Sequence, residues 1–251
     1  DTVQANYSEY FIDAEQNPML TAMNYLKYDI WTWGNHEYNF TSDRRQGLID
    51  QFNGICLSGN VYDKSTNQRY LPATAVVERD GVKLGFIGIT TPMIADFEAG
   101  RGTLDDMDVR NPLDETALAL QELQAQDVDA IIGIYHMGLN KENEVTGTSV
   151  TEIAERYPEL DVIIAGHSHS RIDGQEVNGV LITEPKAYAQ VVSVVDLVMV
   201  PDGDGYTVAE KRSGIQTAGS EEDPQLVELM APYKTELQEY VNTPIGQLIN
   251  S

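Results

Sequence analysis

Trp33-Gly34-Asn35-His36-Glu37 contains the first of the four histidines in this chain, and the arrangement of the other three can be judged against it. The segment lies where an extended, partly aromatic run over residues 28–33 breaks at a glycine and continues into polar side chains. A strand that ends in this way places an amide and an imidazole side by side at its carboxyl edge. Open α/β sheets bind their ligands at that edge. The segment therefore predicts a strand end with a ligand site beside it.

The three remaining histidines also follow predicted strands. His136 comes after the apolar run over residues 128–135, and His167 and His169 come after the run over residues 160–165. A lone histidine is more often structural than a ligand, but four histidines at strand ends weaken that interpretation. Because such strand ends meet at one edge of a sheet, the pattern predicts one shared metal site.

The candidate ligands are nitrogen and oxygen atoms, which without thiolate suit Zn, Mn, Fe or Co. Cys56 is the single cysteine, so the sequence has neither a disulfide framework nor a cysteine zinc site. Two histidines, Asn35 and a bridging carboxylate would complete one half of a two-metal site, which generates hydroxide and clamps an in-line displacement at phosphorus. The second ion would need further ligands, and only Asp1, at the start of the sequence, stands at a plausible place.

The composition is that of an acidic globular chain. It has 251 residues, with 16 Lys and Arg against 40 Asp and Glu, and a net charge of −24. Such a surface repels nucleic-acid polymers and anionic membranes, although a bound metal can still attract a small anionic substrate. No apolar run is long enough to span a bilayer, and no signal-peptide pattern is present. Because the first residue is Asp1 rather than Met, the missing signal peptide is uninformative.

Periodicity along the chain predicts a mixed α/β single domain. Residues 95–110, rich in Asp and Gly, are predicted to form a loop. Strands are expected at residues 28–33, 55–58, 73–79, 82–90, 128–135, 160–165, 179–182 and 190–200. Helices are expected at residues 18–27, from 42, from 112, around 150–154 and at 224–241.

Four bulky side chains near the first motif have alternative interpretations. Trp31 and Trp33 could stack a base, but strand alternation places both on one face and favours packing in the core. Arg44 or Arg45 could reach a phosphate, but a solvated helix start is favoured for both.

Three motifs, in this order, resemble those of the calcineurin-like metallophosphoesterases: Gly34-Asn35-His36-Glu37, Tyr135-His136-Met137-Gly138 and Gly166-His167-Ser168-His169. Residues 58–63, 81–92 and 244–246 are also similar to the branch that holds 5′-nucleotidases, UDP-sugar hydrolases and 2′,3′-cyclic-nucleotide 2′-phosphodiesterases. The resemblance implies a four-layer α/β/β/α sandwich, here with its first strand truncated.

The resemblance assigns a metal-binding role to five residues. Asp1 would bridge two divalent metal ions, and Asn35, His136 and His167 would complete the ligands of one of them. His169 would bind the other ion. The family's Asp-x-His motif, which supplies two more ligands of that second ion, would lie upstream of Asp1 and is missing from the sequence.

The catalytic residues that the resemblance implies are His36 and Asn39. His36 would not bind metal; it would face the phosphate and stabilise the charge that builds on the phosphoryl oxygens. Many 5′-nucleotidases carry Asp three residues after this histidine, whereas this chain has Asn39, as the cyclic-nucleotide phosphodiesterase-like members do. An amide orients an imidazole but does not stabilise its charged form as a carboxylate does. Asn39 therefore favours a cyclic nucleotide as substrate.

The resemblance also predicts the domain organisation. Residues 1–243 would form the catalytic domain without its Asp-x-His strand, and residues 244–251 would begin the connection to a C-terminal nucleotide-binding domain. One hypothesis is a two-metal phosphoesterase that hydrolyses nucleotides by in-line attack of metal-bound hydroxide, in an extracellular, cell-wall or periplasmic location. The other is a truncated or degenerate module that binds a metal or a nucleotide without catalysis. The missing motif leads us to expect weak or no activity from this chain alone.

Overall fold

The computed structural model describes residues 1–4 and 7–244. The strands in this part of the chain are β1 (Ile30–Thr32), β2 (Ile55–Leu57), β3 (Val61–Asp63), β4 (Gln68–Arg69), β5 (Thr74–Arg79), β6 (Val82–Thr90), β7 (Met107–Val109), β8 (Ala130–His136), β9 (Val162–Ala165), β10 (Arg171–Val177), β11 (Val180–Pro185), β12 (Val191–Asp202) and β13 (Gly205–Thr217). The helices are α1 (Pro18–Tyr25), α2 (Ser42–Gln51), α3 (Ile94–Phe97), α4 (Pro112–Gln124), α5 (Val150–Arg156) and α6 (Pro224–Val241), with 3₁₀ turns at Tyr7–Phe11 and His36–Asn39.

A six-stranded sheet with the order β10-β11-β9-β8-β6-β5 forms the centre of the fold. Its four middle strands are parallel, and β5 and β10 pair antiparallel at the two edges. β8 is largely buried because both faces of the sheet are covered. The ladder between β6 and β8 runs to the pair Thr90 and His136, so His136 stands at the carboxyl edge.

Layers of helix and strand cover both faces of this sheet. α4 and α5 pack on one face, with Leu123 and Ile153 completely buried there. The parallel pair β1-β2 and the hairpin β12-β13 cover the other face. Gly88 on β6 permits the close approach of β2, because a Cβ at this position would collide with Leu57. α1 and α2 lie outside β1-β2, which gives the predicted α/β/β/α order.

Trp31 and Trp33 lie in the cluster of apolar side chains between β1 and the helices outside it. They are 4% and 0% exposed, which confirms the prediction that they pack in the core. Burying an apolar side chain of this size contributes roughly 1.5–3 kcal/mol, so the strand that leads to the Gly-Asn-His motif is firmly anchored.

Several elements differ from the sequence prediction. The loop expected at residues 95–110 contains the end of α3 and the strand β7, which pairs with β3 in a small three-stranded sheet. β10 and β13 were not predicted, because their mostly exposed sequences lack the apolar runs of buried strands. The predicted connection at residues 244–251 lies, from residue 245 onward, outside the described residues. None of the helices in the described ranges combines the length and apolarity of a membrane span.

Arg45 corrects the interpretation of residues 43–45 as a solvated helix start. Its side chain is 0% exposed, and its Nη1 donates to the carbonyl oxygens of Phe40 at 3.0 Å and Thr103 at 2.7 Å. Arg44 is exposed and pairs with Asp13. Because Arg45 is completely buried and Arg44 is paired with Asp13, phosphate binding by either arginine finds no support.

Candidate active site

Three strands bring polar side chains to one edge of the fold. Asn35 follows β1, His136 ends β8, and His167 follows β9. Because β1 packs against β8, the end of β1 lies next to His136. Gly34 makes this approach possible, since a Cβ there would collide with Asp1 and with the His136 ring. The glycine of the motif is therefore required by the close packing of the strand ends.

The four side chains that meet at this edge are called the ligand group: Asp1, Asn35, His136 and His167. Asn35 Oδ1 lies 3.0 Å from His136 Nε2 and 3.0 Å from His167 Nδ1. Asp1 Oδ2 lies 3.1 Å from His136 Nε2, and the ligand atoms of Asp1, His136 and His167 fall within 4.8 Å of one another. Ligands bound at about 2.0–2.2 Å from a tetrahedral metal lie roughly 3.3–3.6 Å apart. The spacing therefore fits a single ion.

The protonation of the two histidines also fits a metal. Burial lowers the pKa of His136 well below its usual range, and His167 acts in the same direction. Burial also lowers the pKa of His167, although Glu142, whose Oε2 lies 3.3 Å from His167 Nε2, opposes the shift. Only a neutral imidazole binds a metal, so both shifts favour the binding form.

His36 begins the 3₁₀ turn that follows the ligand group's Asn35. Its Nδ1 lies 2.7 Å from Asn39 Oδ1, and its backbone N–H donates to Asp1 Oδ1 at 3.1 Å. Asn39 Nδ2 donates in turn to the buried carboxylate of Glu98. The structure thus places Asn39 against His36, in the position where the resemblance puts the partner of this histidine. The catalytic roles of His36 and Asn39 stay predictions.

Glu37, the last residue of the first motif, ties the start of the described chain to the strand end. The carboxylate is fully buried and accepts hydrogen bonds from the backbone N–H groups of Thr2 at 2.6 Å and Gly34 at 2.8 Å. Glu37 therefore fixes the backbone beside Asp1 against the strand end.

His169 lies apart from the ligand group within the described residues. Its side chain is exposed, its backbone is left-handed with φ 55°, and its ring lies 5.8 Å from that of Tyr188. His167 is also left-handed, with φ 68°. The assignment of His169 to a second metal stays a prediction, whereas the structure brings the other four predicted ligands together.

Glu184 supports the turn that carries His167, and the sequence analysis missed it. Its carboxylate accepts hydrogen bonds from Ser168 Oγ at 2.7 Å and from the Ser170 backbone N–H at 3.0 Å. Burial raises the pKa of Glu184, and these hydrogen bonds oppose the shift. A sequence signal existed, because Glu184 is the one charged residue of the mainly apolar strand β11. No comparable sequence feature distinguishes Glu98 or Glu142 from the other Asp and Glu residues, of which the chain has 40 in total.

A cavity of about 800 Å³ lies between β4 and α4 rather than at the histidines. Arg69 in its wall is paired with Glu115 at 3.1 Å and with Glu122. Because both carboxylates engage it, Arg69 is not free to hold a phosphate there. The strand-end edge is the better candidate for the functional site because it alone gathers the metal-binding side chains of the described residues.

Candidate metal ligands at the strand ends of an α/β/β/α sandwich match the arrangement that the sequence resemblance implies. Residues 4–171 match the Calcineurin-like phosphoesterase family, and the chain belongs to that family. Members of this family use divalent metal ions.

Bacterial relatives of the chain include proteins named as nucleotide phosphoesterases. The trifunctional nucleotide phosphoesterase protein YfkN of Bacillus subtilis is 26% identical over 259 residues, covering 92% of this chain and 18% of YfkN. The 2′,3′-cyclic-nucleotide 2′-phosphodiesterase/3′-nucleotidase of Salmonella typhimurium is 26% identical over 268 residues, covering 94% and 41% of the two chains. Protein UshA of Escherichia coli is 35% identical over 167 residues, covering 64% and 30%. The chain thus spans less than half the length of each of these relatives.

Solved structures share the fold. The crystal structure of the calcineurin-like phosphoesterase YfkN from Bacillus subtilis superposes with a TM-score of 0.87 and 22% identity, covering 96% of this chain and 83% of that one. The 5′-nucleotidase precursor from Thermus thermophilus gives a TM-score of 0.78 at 21% identity, covering 95% and 49%. The predicted α/β fold of the metallophosphoesterase type is confirmed.

Proposed function

We propose that this chain is the catalytic domain of a metal-dependent phosphoesterase that hydrolyses nucleotides. The observation that carries the proposal is the ligand group at the strand ends, with His36 on the adjoining turn. The names of two of these relatives support a nucleotide as the substrate class. Asn39 supports a 2′,3′-cyclic nucleotide over a 5′-nucleotide within that class. The relatives' greater length supports a further C-terminal nucleotide-binding domain in the whole protein.

The residues of the ligand group would hold one divalent ion, and Asp1 and His169 would contribute to a second. A divalent ion at such a site lowers the pKa of water and polarises a phosphoryl oxygen. His36 supplies a separate function. Because Asn39 engages its Nδ1, Nε2 is the ring nitrogen left for the phosphate, and in the protonated, cationic ring it would donate a proton or hydrogen bond to an oxygen that gains charge.

A second candidate function is a module that binds one metal ion or a nucleotide without hydrolysis. The observation in its favour is that the described residues gather ligands for one ion, while His169 stands apart. A single ion would still polarise a phosphate but would not clamp both the attacking and the leaving oxygen. The two candidates therefore predict different metal contents as well as different activities.

Elemental analysis together with an activity assay separates these candidates. The chain is loaded with zinc or manganese, freed of excess metal, and assayed with 2′,3′-cyclic AMP and with AMP. Two ions per chain with hydrolysis support the phosphoesterase, and faster turnover of the cyclic substrate supports the preference assigned to Asn39. One ion or none, without hydrolysis of either substrate, supports the binding module for this chain.

The resemblance also leads us to propose an extracellular, cell-wall or periplasmic location for the whole protein. Fractionation of the source cells with an antibody against this domain tests the location. Recovery of the protein in the cytoplasmic fraction alone would contradict it.

A further inference from the structure

A buried carboxylate lies behind the partner of His36. Glu98 follows α3 and is 4% exposed. One of its oxygens accepts a hydrogen bond from Asn39 Nδ2, and the other accepts one from Thr103 Oγ1 at 3.0 Å. Since Asn39 Oδ1 lies 2.7 Å from His36 Nδ1, an unbroken hydrogen-bond chain runs from Glu98 to the imidazole. We call His36, Asn39 and Glu98 the histidine chain.

The donors and acceptors of the histidine chain allow only one arrangement of its hydrogen atoms. A carboxylate only accepts hydrogen bonds, so the NH₂ group of Asn39 must face Glu98. The amide oxygen of Asn39 then faces His36 and also only accepts, so Nδ1 of His36 must carry the hydrogen. The neutral ring therefore has its lone pair on Nε2. The carboxylate thus determines both the amide direction and the tautomer of His36.

We propose that Glu98 is a positioning residue for His36 and acts through the amide of Asn39. It holds the Nδ1–H tautomer and places a negative charge one amide farther from the ring than an Asp at position 39 would. Asn39 then serves as a spacer that passes the polarisation of Glu98 to the imidazole. The inference rests on the proposed function for the purpose of His36, but the tautomer itself can be measured without any hydrolysis.

A purely structural role for Glu98 makes a different prediction. Arg101 Nη1 lies 3.6 Å from the Glu98 carboxylate, and Thr103 also contacts it, so Glu98 could serve only to hold the turn over residues 98–103. In that case Thr103→Val, which removes the hydrogen bond on the far oxygen, would disturb His36 as much as a change at Glu98. In our proposal Thr103→Val leaves His36 unchanged, because the contact with Asn39 remains.

The first experiment reads the tautomer of His36 by ¹⁵N NMR of histidine-labelled, zinc-loaded protein at a pH where the ring is neutral. The His36→Ala spectrum assigns the signals. We expect Nδ1 to be protonated in the unmodified chain and in Thr103→Val, and we expect Glu98→Leu to shift the ring towards the Nε2–H form. An unchanged His36 tautomer in folded Glu98→Leu would overturn the proposal.

The second experiment keeps the test valid if Glu98→Leu does not fold. Asn39→Asp alone would set two carboxylates against each other, whereas Asn39→Asp with Glu98→Gln would replace that repulsion with a hydrogen bond. We expect the double variant to regain the thermal midpoint that the single variant loses, and His36 to keep its Nδ1–H in both, because an Asp at position 39 also only accepts. Equal thermal midpoints of the single and double variants would show that Glu98 does not act on position 39.

Kinetics with 2′,3′-cyclic AMP give a third measurement. We expect Glu98→Leu to lower kcat about tenfold with KM nearly unchanged. The loss should be only part of the effect of removing His36, because a positioned proton donor contributes about a hundredfold or more. A rise in KM alone would contradict a positioning role. If the unmodified chain hydrolyses neither 2′,3′-cyclic AMP nor AMP, the proposed function fails, while the NMR result still decides the role of Glu98.

Discussion

The ligand group and the histidine chain lie at the same edge of the fold but differ in how their hydrogens are shared. In the ligand group, Nε2 of His136 lies within 3.1 Å of two oxygens, one from Asp1 and one from Asn35, so one ring proton faces two acceptors. In the histidine chain, each hydrogen meets a single acceptor. A cation would satisfy the first arrangement, whereas the second is complete without one. Metal should therefore affect the two regions unequally.

Removal of metal should have the largest effect and should break the ligand group alone. Dialysis of the zinc-loaded chain against EDTA is expected to abolish hydrolysis of 2′,3′-cyclic AMP, and added zinc or manganese should restore it. Stability should also fall, by about 2.7 kcal/mol relative to protein at a metal concentration a hundred times Kd. Calorimetry and the assay measure the two effects. Full turnover after chelation would contradict the assignment of the ligand group.

His36→Ala should have the next largest effect and should break the histidine chain alone. We expect kcat to fall about a hundredfold or more, because a positioned proton donor is lost. Metal content should stay unchanged, since His36 is not in the ligand group. Steady-state kinetics and elemental analysis provide the measurements.

Arg44→Ala is the control for His36→Ala, because Arg44 lies in the same part of the chain, is exposed, and makes its ion pair within the described residues with Asp13. It should leave kcat and metal content as they are. Loss of metal in His36→Ala, or equal losses of kcat in both variants, would show that the two regions are not separate.

Glu184→Leu should sharpen the comparison by loosening the turn of His167 without removing a ligand. The side chain of Ser168 and the backbone N–H of Ser170 would lose their acceptor, at a cost of about 1–3 kcal/mol. Metal affinity should fall roughly 10- to 100-fold, as is typical of residues that orient a ligand. Urea unfolding and zinc titration measure these changes.

Glu176→Leu on the neighbouring strand β10 is the matched control, since Glu176 is exposed. Its stability should stay within about 0.5 kcal/mol of the unmodified chain. If Glu176→Leu and Glu184→Leu weaken zinc binding equally, the buried carboxylate has no special part in holding His167.

Chemical labelling of Cys56 should show the smallest effect in the native chain, and it tests whether the variants remain folded. Burial raises the pKa of its thiol to about 12, so little thiolate forms at neutral pH. Iodoacetamide should therefore label the native chain slowly and the urea-unfolded chain completely, as measured by mass spectrometry. Fast labelling of a folded variant would reveal that β2 and the strand beside it have opened.

Sequence patterns located the histidines better than the carboxylates around them. The apolar run over residues 128–135 and the glycine at position 34 are local features, and they placed His136 and Asn35 at strand ends. Glu98 meets Asn39 across 59 residues of sequence, and no periodicity records such a contact. The motif resemblance, rather than the local pattern, predicted that Asp1 would join the ligand group.

Buried charge was the other property that the sequence concealed. Arg45 stands beside the exposed Arg44 with no difference in residue type, yet only Arg45 is completely buried. The polar strands β10 and β13 were missed for the converse reason, because they form ladders with little burial. In both cases the tertiary environment overrides what hydrophobic periodicity indicates.

The left-handed backbone at His169 sets thermal stability and chemistry against each other. A residue with a Cβ costs roughly 1–2 kcal/mol more in this conformation, and glycine avoids that cost. A library of variants at position 169 selected for heat resistance should therefore enrich glycine. The same library selected for phosphoester turnover should retain histidine if the imidazole binds the second ion. The residue enriched under each selection would show whether backbone stability or metal binding determines the residue at position 169.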